Sequence, residues 1–423
     1  MRKDVFWTVN IMVLVICFTG QLFGGGNSDK PTAGEIELRW ASIWVGNDSK
    51  TPAVEALVKE FNDAHAGRIK VVIDPQPDYN AYEQKVRTSL AAGTAPADIF
   101  TIKLNPTTAQ FYQSNLLMDF SPVLDAAWKE KFAPGSLAQS TIGGKMKSLP
   151  METAVLPLWY NMDAFRSVGV TSIPKTMDEM YAAFDKLKAA GITPTSQMTG
   201  DTNAWTSMIW FSHFAVSFGG VTVWDKPFTD PAFVRAAALL KRIITDYSTA
   251  DAVGLGAGGS GGHFLAGRTA VFSNGPWYAG RADLAETPFF NSITIEAPPP
   301  AGTTRNFMIS RLQANICAAS VRDKSREEAI IEFLKFLTNP ASIKRIAENS
   351  GAMFAVKTDY VPTGSLQKQF YDIAASYTLT VSDLEAALGA EVTLEFAQQL
   401  GALVLGNITP EEFCGLVDKK VER

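Results

Sequence analysis

The sequence predicts an α/β protein built from more than one unit, on three observations. Strand-like and helix-like stretches alternate between residues 36 and 102, helical periodicity dominates beyond residue 150, and 423 residues amount to roughly two to three domains' worth of chain. An apolar fraction of 46% with 19% charged residues is the composition of a chain that buries a core. The formal charge of −5 offers nucleic acid no general attraction. Anionic polymers and anionic membranes are therefore excluded as default partners.

At the N-terminus, Arg2 and Lys3 precede the apolar stretch Val5 to Phe18 and the small run Gly24-Gly25-Gly26. That is the layout of a secretory signal peptide over residues 1–26, too short in its apolar part to span a membrane. An exported, periplasmic or cell-surface protein is expected. Cys17 as a lipidated residue is disfavoured because bulky Ile16 precedes it. Removing the signal shifts the charge from −5 to −6 and leaves Cys317 and Cys414, whose pairing spacing cannot decide.

Ile36 to Trp40 alternates like a strand, and Val54, Leu57, Val58 and Phe61 then recur at helical spacing. Ile69 to Ile73 reads as a second strand, Tyr82, Val86 and Leu90 as a helix face, and Ile99 to Ile102 as a third strand. This order forms a parallel sheet with right-handed crossovers. Ligands of such sheets bind beyond the carboxyl ends of the strands, here Ser42 to Pro52 and Lys103 to Thr107. Further on, Thr176 and Glu179 form a capping-box pattern before an apolar helix face from Met177 to Leu187. Pro298-Pro299-Pro300 is a stiff connector that suggests a crossing between units. Thr409-Pro410-Glu411-Glu412 opens the last helix.

Several chemistries lack their residues. No Cys-x-x-Cys or His-x-x-x-His spacing supports a metal, and no Gly-x-Ser-x-Gly elbow or Gly-Lys-Ser/Thr loop is present. Gly254 to Gly259 matches Gly-x-Gly-x-x-Gly by letter but follows a helix-like run ending at Tyr247, the wrong context for a dinucleotide. No cofactor is expected.

Four ordered segments resemble the extracellular solute-binding proteins of bacterial ABC importers, in particular the carbohydrate-binding type that includes maltose-binding protein. They are Leu149-Pro150 with Leu158 to Phe165 and Pro174-Lys175-Thr176; Phe264 to Val271 running into Asn274-Gly275-Pro276-Trp277; Glu328 to Asn339 with Gly351; and Val404 to Glu412. Two departures touch local detail: Pro96-Ala97-Asp98 replaces a usual Pro-Asp, and Met177 stands where tryptophan is common. The resemblance implies a periplasmic-binding-protein-like fold of two α/β lobes with hinge crossovers and a central ligand cleft. One lobe maps to about 35–149 plus 298–351, the other to about 151–297 plus 354–423. Met151 to Thr153, the proline run and Ala352 to Val356 map to hinges. A monomer is implied that captures a sugar and delivers it to a membrane permease without catalysis.

A sugar needs flat aromatic surfaces for its C–H faces and bidentate polar groups for its hydroxyls. Of nine tryptophans, Trp44, Trp159, Trp205, Trp210, Trp224 and Trp277 lie near expected loops or element ends. The resemblance places Trp277 at a sugar-stacking position; Trp44 and Trp205 join it as expected contacts. Polar contacts are expected from Asn47 and Asp48, from Lys103 and Asn105, from Glu152, from Asp201 and Asn203, and from Arg311 and Gln313. Asp98 is assigned to structure, as a cap or turn residue. The same residues leave a secreted glycoside hydrolase open, with Glu152 and Asp201 as its best carboxylate pair. A two-lobe binder for a polyamine, phosphate ester or metal complex is a third reading.

Overall fold

The computed structural model describes residues 34–421 apart from 47, 78, 104–114, 134–135, 143, 202 and 378. The expected signal peptide, Cys17, Asn47 and Asn105 lie outside the described residues.

The N-terminal alternation forms as expected. Strand β1 (Ile36–Ser42), helix α1 (Thr51–Ala64), strand β2 (Ile69–Pro75), helix α2 (Tyr79–Ala91) and strand β3 (Ile99–Ile102) follow one another. β1 pairs in parallel with both β2 and β3. Tyr82, Val86 and Leu90 of α2 are buried, as their spacing requires. Asp98 is neither a cap nor a simple turn residue. It accepts from the Arg39 backbone and forms two hydrogen bonds with the Arg326 guanidinium at 2.7 and 2.8 Å, tying β1 to the helix that carries Arg326.

The second half adds β4 (Leu149–Val155), β5 (Leu158–Asn161), α3 (Met177–Ala189), β6 (Thr193–Thr195), α4 (Trp205–Gly219), α5 (Pro231–Tyr247), α6 (Ala257–Leu265), β7 (Thr269–Ser273), β8 (Ile293–Glu296) and β9 (Phe307–Ala318). Helix α5 fills the stretch before Gly254, so the glycine run opens α6 after a helix rather than a strand. Thr176 caps Glu179 as expected, but the Glu179 carboxylate reaches back to the Lys175 backbone, one residue short of the reciprocal box. The C-terminal part comprises α7 (Lys324–Leu337), α8 (Pro340–Ser350), β10 (Met353–Phe354), β11 (Leu379–Ser382), α9 (Leu384–Leu388), α10 (Ala390–Val404) and α11 (Pro410–Asp418). Thr409 and Glu412 complete a full capping box on α11.

Two large sheets result. One runs β10-β4-β9-β3-β1-β2, with β11 on β9; the other runs β8-β5-β7-β6. Two strands carry the chain from one core to another. In β4, Leu149 and Met151 belong to the first-lobe core while Ala154 and Val155 belong to those of the second lobe. In β9, Met308 and Ile309 pack in the second lobe and Ala314 and Ile316 in the first. The third link is β10, where Met353 leans on the second lobe and Phe354 on the first. The β4–β9 register shifts on both sides of Ala314, a pair of irregularities at the level of the change. The change in β9 thus falls several residues beyond Pro298-Pro299-Pro300, which line a surface groove with Lys175 and Tyr377. Proline has no N–H for a ladder, so a crossing made of paired strands cannot be built from it.

Cys414 packs in the second-lobe core and Cys317 in a first-lobe core, and no bridge joins them. No helix among the described residues is long and apolar enough to cross a membrane. Among those residues no group of three or more His, Cys, Asp or Glu is placed to hold a metal.

Candidate functional site

A cleft of about 410 Å³ opens where the two lobes meet, bordered by Trp44, Asp48, Lys50, Glu152, Trp277 and Gln313 among others. Its polar wall is built at the start of α1. Lys50 occupies the N-cap position, where Ser, Thr, Asp or Asn is usual, and makes no side-chain cap bond. A cation beside a helix N-terminus is unfavourable, and this one is only 2% exposed. Two carboxylates offset the cost: Glu152 at 3.4 Å and Asp48 at 3.2 Å. Burial alone would lower the Lys50 ammonium, but Glu152 and Asp48 outweigh it and hold the group above its ordinary range. Burial pushes the Glu152 carboxyl up, with Lys50 acting against it.

Trp44 does not present a face to the cleft. It is 0% exposed, packed edge-on against Trp40 and Phe354, and its Nε1–H donates to Glu152 Oε2 at 3.3 Å. Its role is to orient Glu152. Trp159 and Trp210 are also core residues at 0% exposure, and Trp224 donates to the Ser382 carbonyl. Trp205 and Trp277 are both half-buried, with ring centres 5.9 Å apart, and of the two it is Trp277 that borders the cleft. Trp277 folds back over Gly275, where a Cβ would stand 2.3 Å from the indole. Only glycine leaves that space, so Gly275-Pro276 sets the pose of the ring. Trp205 opens α4 directly after Ala204, whose φ of 43° is left-handed. Asp201, at φ 65°, anchors the same turn by accepting from the Ala257 backbone at 2.6 Å.

Gln313 enters at the register shift in β9. Positions 312 and 314 pair with Thr153 and Glu152, and Gln313 is the extra residue between them. A bulge re-aims its side chain, here onto the cleft, and Gln313 Oε1 is a buried acceptor with no hydrogen-bond partner among the described residues. Two residues earlier, Arg311 lies over the Trp205 ring at 5.4 Å and bonds Asp383 at 2.9 Å and Glu385 at 3.0 Å. Lys103 reaches the same Glu385 at 3.3 Å. Burial would raise Glu385, but Lys103 and Arg311 together hold it down at about 2. Asp383 is raised by burial, against the pull of Arg311.

The structure therefore brings Asp48, Glu152, Trp277 and Gln313 together on one cleft, with Trp205 behind Trp277 and Trp44 behind Glu152. Lys103 and Arg311 join a buried charge network beside it, and Asn203 borders a second pocket. Asp201 serves the N-terminus of α6 instead. Glu152 and Asp201 are thus engaged by different elements and share no hydrogen-bond partner among the described residues. Lys50, Asp383, Glu385, Glu83 and Arg87 escape sequence reasoning. Lys50 alone carries a signal, as a lysine in the cap position before Thr51-Pro52.

Residues 47–344 match the family described as bacterial extracellular solute-binding protein. This chain belongs to that family. The solute-binding protein is 26% identical over 228 residues to an uncharacterized ABC transporter extracellular-binding protein of Pyrococcus horikoshii, covering 52% of this chain and 50% of the relative. It is 26% identical to the arabinooligosaccharide-binding protein of Bacillus subtilis, over 48% of this chain and 47% of that one. An sn-glycerol-3-phosphate-binding periplasmic protein of Brucella abortus is 28% identical over 43% of this chain and 42% of its own. The matches thus span about half the length of these curated relatives or less. Among solved structures, a chitin oligosaccharide binding protein superposes with a TM-score of 0.83 at 22% identity, over 91% of this chain and 98% of its own. A raffinose complex gives 0.74 at 17% identity, over 91% and 98%. These likenesses establish the two-lobe architecture of the solute-binding protein.

Proposed function

We propose that this solute-binding protein captures a sugar or short oligosaccharide between its lobes and delivers it, chemically unchanged, to the permease of an ABC importer outside the cytoplasm. The observation that carries the reading is the interlobe cleft in which the half-buried Trp277 meets Asp48, Glu152 and the unpartnered Gln313 Oε1. An indole face accepts the C–H side of a pyranose, and carboxylates with an amide take its hydroxyls in pairs. The oligosaccharide binders named above, from Bacillus subtilis and among the solved structures, support the same ligand class.

The phosphate-ester relatives raise a different ligand, and the wall argues against it. Lys50 already faces two carboxylates, so the polar wall carries an excess negative charge that repels a phosphate. With Lys50 balancing one of the two carboxylates, the wall keeps a single excess negative charge, too little to match the several cations of a polyamine. Closure follows from differential affinity, since a ligand held by both lobes stabilises the closed state by as much as it prefers it. The crossing strands, with their register shifts, absorb the rotation.

A thermal-shift screen against mono- and oligosaccharides tests the proposal, because a ligand bound only by the folded state raises Tm by mass action. At least one carbohydrate raises Tm in a concentration-dependent way, and sn-glycerol 3-phosphate does not. A response to the phosphate alone sinks the sugar reading. Release of new reducing ends from a bound oligosaccharide sinks the claim of binding without turnover.

A further inference from the structure

The larger sheet has a break at which the lobes meet without a covalent link. β3 of the first lobe and β11 of the second both pair with β9, along 315–318 and 307–310, and their C-terminal ends run toward each other. Side chains that follow those ends close the gap. Lys103, just past β3, bonds Glu385, just past β11, at 3.3 Å, and Arg311 of β9 bonds both Asp383 and Glu385.

Helix α2 of the first lobe faces the second lobe at the same place, across a pocket of about 290 Å³. It presents Glu83 and Arg87, four residues apart and therefore on one face. The opposite wall, with Asn203, Glu385, Thr393 and Leu394, is second-lobe chain. Arg87 reaches across to Glu391 of α10 at 2.6 Å. That ion pair joins separate cores, since Val86 and Leu90 pack in the first lobe and Val392 and Phe396 in the second.

Among the described residues, Glu83 joins none of these pairs. Its Oε1 is buried and lacks a hydrogen-bond partner there. The charged groups that face it are Lys103, Glu385, Arg311 and Arg87, and each of the three cations is bonded to a second-lobe carboxylate. Burial pushes the Glu83 carboxyl up, Lys103 pulls it back, and Glu385, a like charge from the other lobe, adds to the rise. A buried carboxylate without a donor and with a second carboxylate opposite is unfavourable while charged. A proton removes both penalties.

We propose that α2 is a pH-sensitive catch between the lobes, in which Arg87 holds the second lobe through Glu391 while Glu83 opposes that approach until it binds a proton. Spreading the lobes returns Glu83 to water, and closing them covers it with second-lobe chain. Closure is thus coupled to uptake of a proton at Glu83. The closed arrangement carries the full penalty above the closed-state pKa, gains as pH falls through it, and is free of the penalty below the ordinary carboxylate value. Between those two values the closed-to-open ratio changes by up to about tenfold per pH unit. An acidic exterior therefore favours the closed form. The catch acts on the lobes themselves, whatever solute the cleft takes.

Small-angle X-ray scattering of the ligand-free protein at pH 7.5 and pH 5 tests it. The wild type has a smaller radius of gyration at pH 5. Glu83→Gln, uncharged at both values, is as compact at pH 7.5 as the wild type at pH 5 and shows no further change with pH. Arg87→Gln is more expanded than the wild type at both. Thermal unfolding at each pH shows which variants are folded, and Glu83→Ala, equally uncharged, supplies the same readout if Glu83→Gln does not fold. A wild-type radius that ignores pH overturns the proposal. So does a pH dependence that survives removal of the Glu83 charge, or an Arg87→Gln protein as compact as the wild type. None of these failures touches the sugar reading, because no ligand is present.

Discussion

Substituting Lys50 by Met tests the electrostatic construction of the cleft wall. Lys50 and Glu152 are each 2% exposed, and among the described residues the ammonium is the only cation bonded to that carboxylate. With Lys50 gone, Glu152 keeps the Trp44 indole N–H but must sit charged and uncompensated, or take up a proton. Removing one partner of a buried pair costs about 3–5 kcal/mol. For a lobe-sized unfolding unit that corresponds to a Tm fall of roughly 6–20 °C. The direction with pH follows from the raised Glu152. In Lys50→Met its folded pKa rises further above the unfolded value, so the penalty is full at neutral pH and is relieved as pH falls through the folded pKa. The deficit relative to wild type therefore narrows between pH 7 and pH 5. Lys50→Met/Glu152→Gln removes both charges and keeps an acceptor for Trp44, so it recovers most of the loss. Urea unfolding followed by tryptophan fluorescence at both pH values is the assay. A single variant within about 1 kcal/mol of wild type, or a double variant no more stable than the single, shows that the wall is not built on this ion pair.

Three further outcomes are expected. Trp277→Ala weakens the best carbohydrate ligand by about 1–3 kcal/mol, roughly 5- to 150-fold in Kd, and an unchanged affinity in calorimetry removes the ring from the site. Gly275→Ala, whose new methyl would fall 2.3 Å from the Trp277 ring, displaces the indole and lowers affinity in the same direction; wild-type binding by this variant shows that the pose is not set there. His213 is buried, with Nε2 bonded to the Leu156 carbonyl, and burial lowers it to about 4 against an unfolded value near 6.5. The folded state favours the neutral ring, so stability is full above about pH 6.5 and falls as pH drops toward 4. That loss is about 2 kcal/mol between pH 7 and pH 5, and it is absent from the urea profile of His213→Gln if the imidazole is its source.

The fold is legible where periodicity is local. β1, α1, β2, α2 and β3 each follow from alternation or helical spacing, and the parallel order of β2-β1-β3 follows from their connections. That Trp277 borders the cleft is legible from the family resemblance and from Gly275-Pro276, which fixes its turn. Trp44 is not the platform its place after β1 suggests, since spacing along the chain cannot tell an indole that faces a ligand from one that packs on Trp40 and Phe354. Asp201 has the look of a cleft residue and instead meets the N-terminus of α6, 56 residues later. The charge network is invisible for the same reason: Arg311 and Asp383 are 72 residues apart, and Lys103 and Glu385 are 282 apart. The proline run marks a change of direction but not the crossing, which needs paired strands. The bulge that turns Gln313 onto the cleft depends on the register of β9 against β4, which no single segment encodes.

If the proposed function is right, a carbohydrate draws the two lobes together around Trp277. Small-angle X-ray scattering of the protein with and without the carbohydrate that most raises its Tm reads that closure out. A smaller radius of gyration is expected with the sugar for the wild type, and the loss of that change in Trp277→Ala at the same sugar concentration. A sugar that binds tightly yet leaves the scattering profile unaltered, or compaction that persists without the indole, is incompatible with closure around that ring.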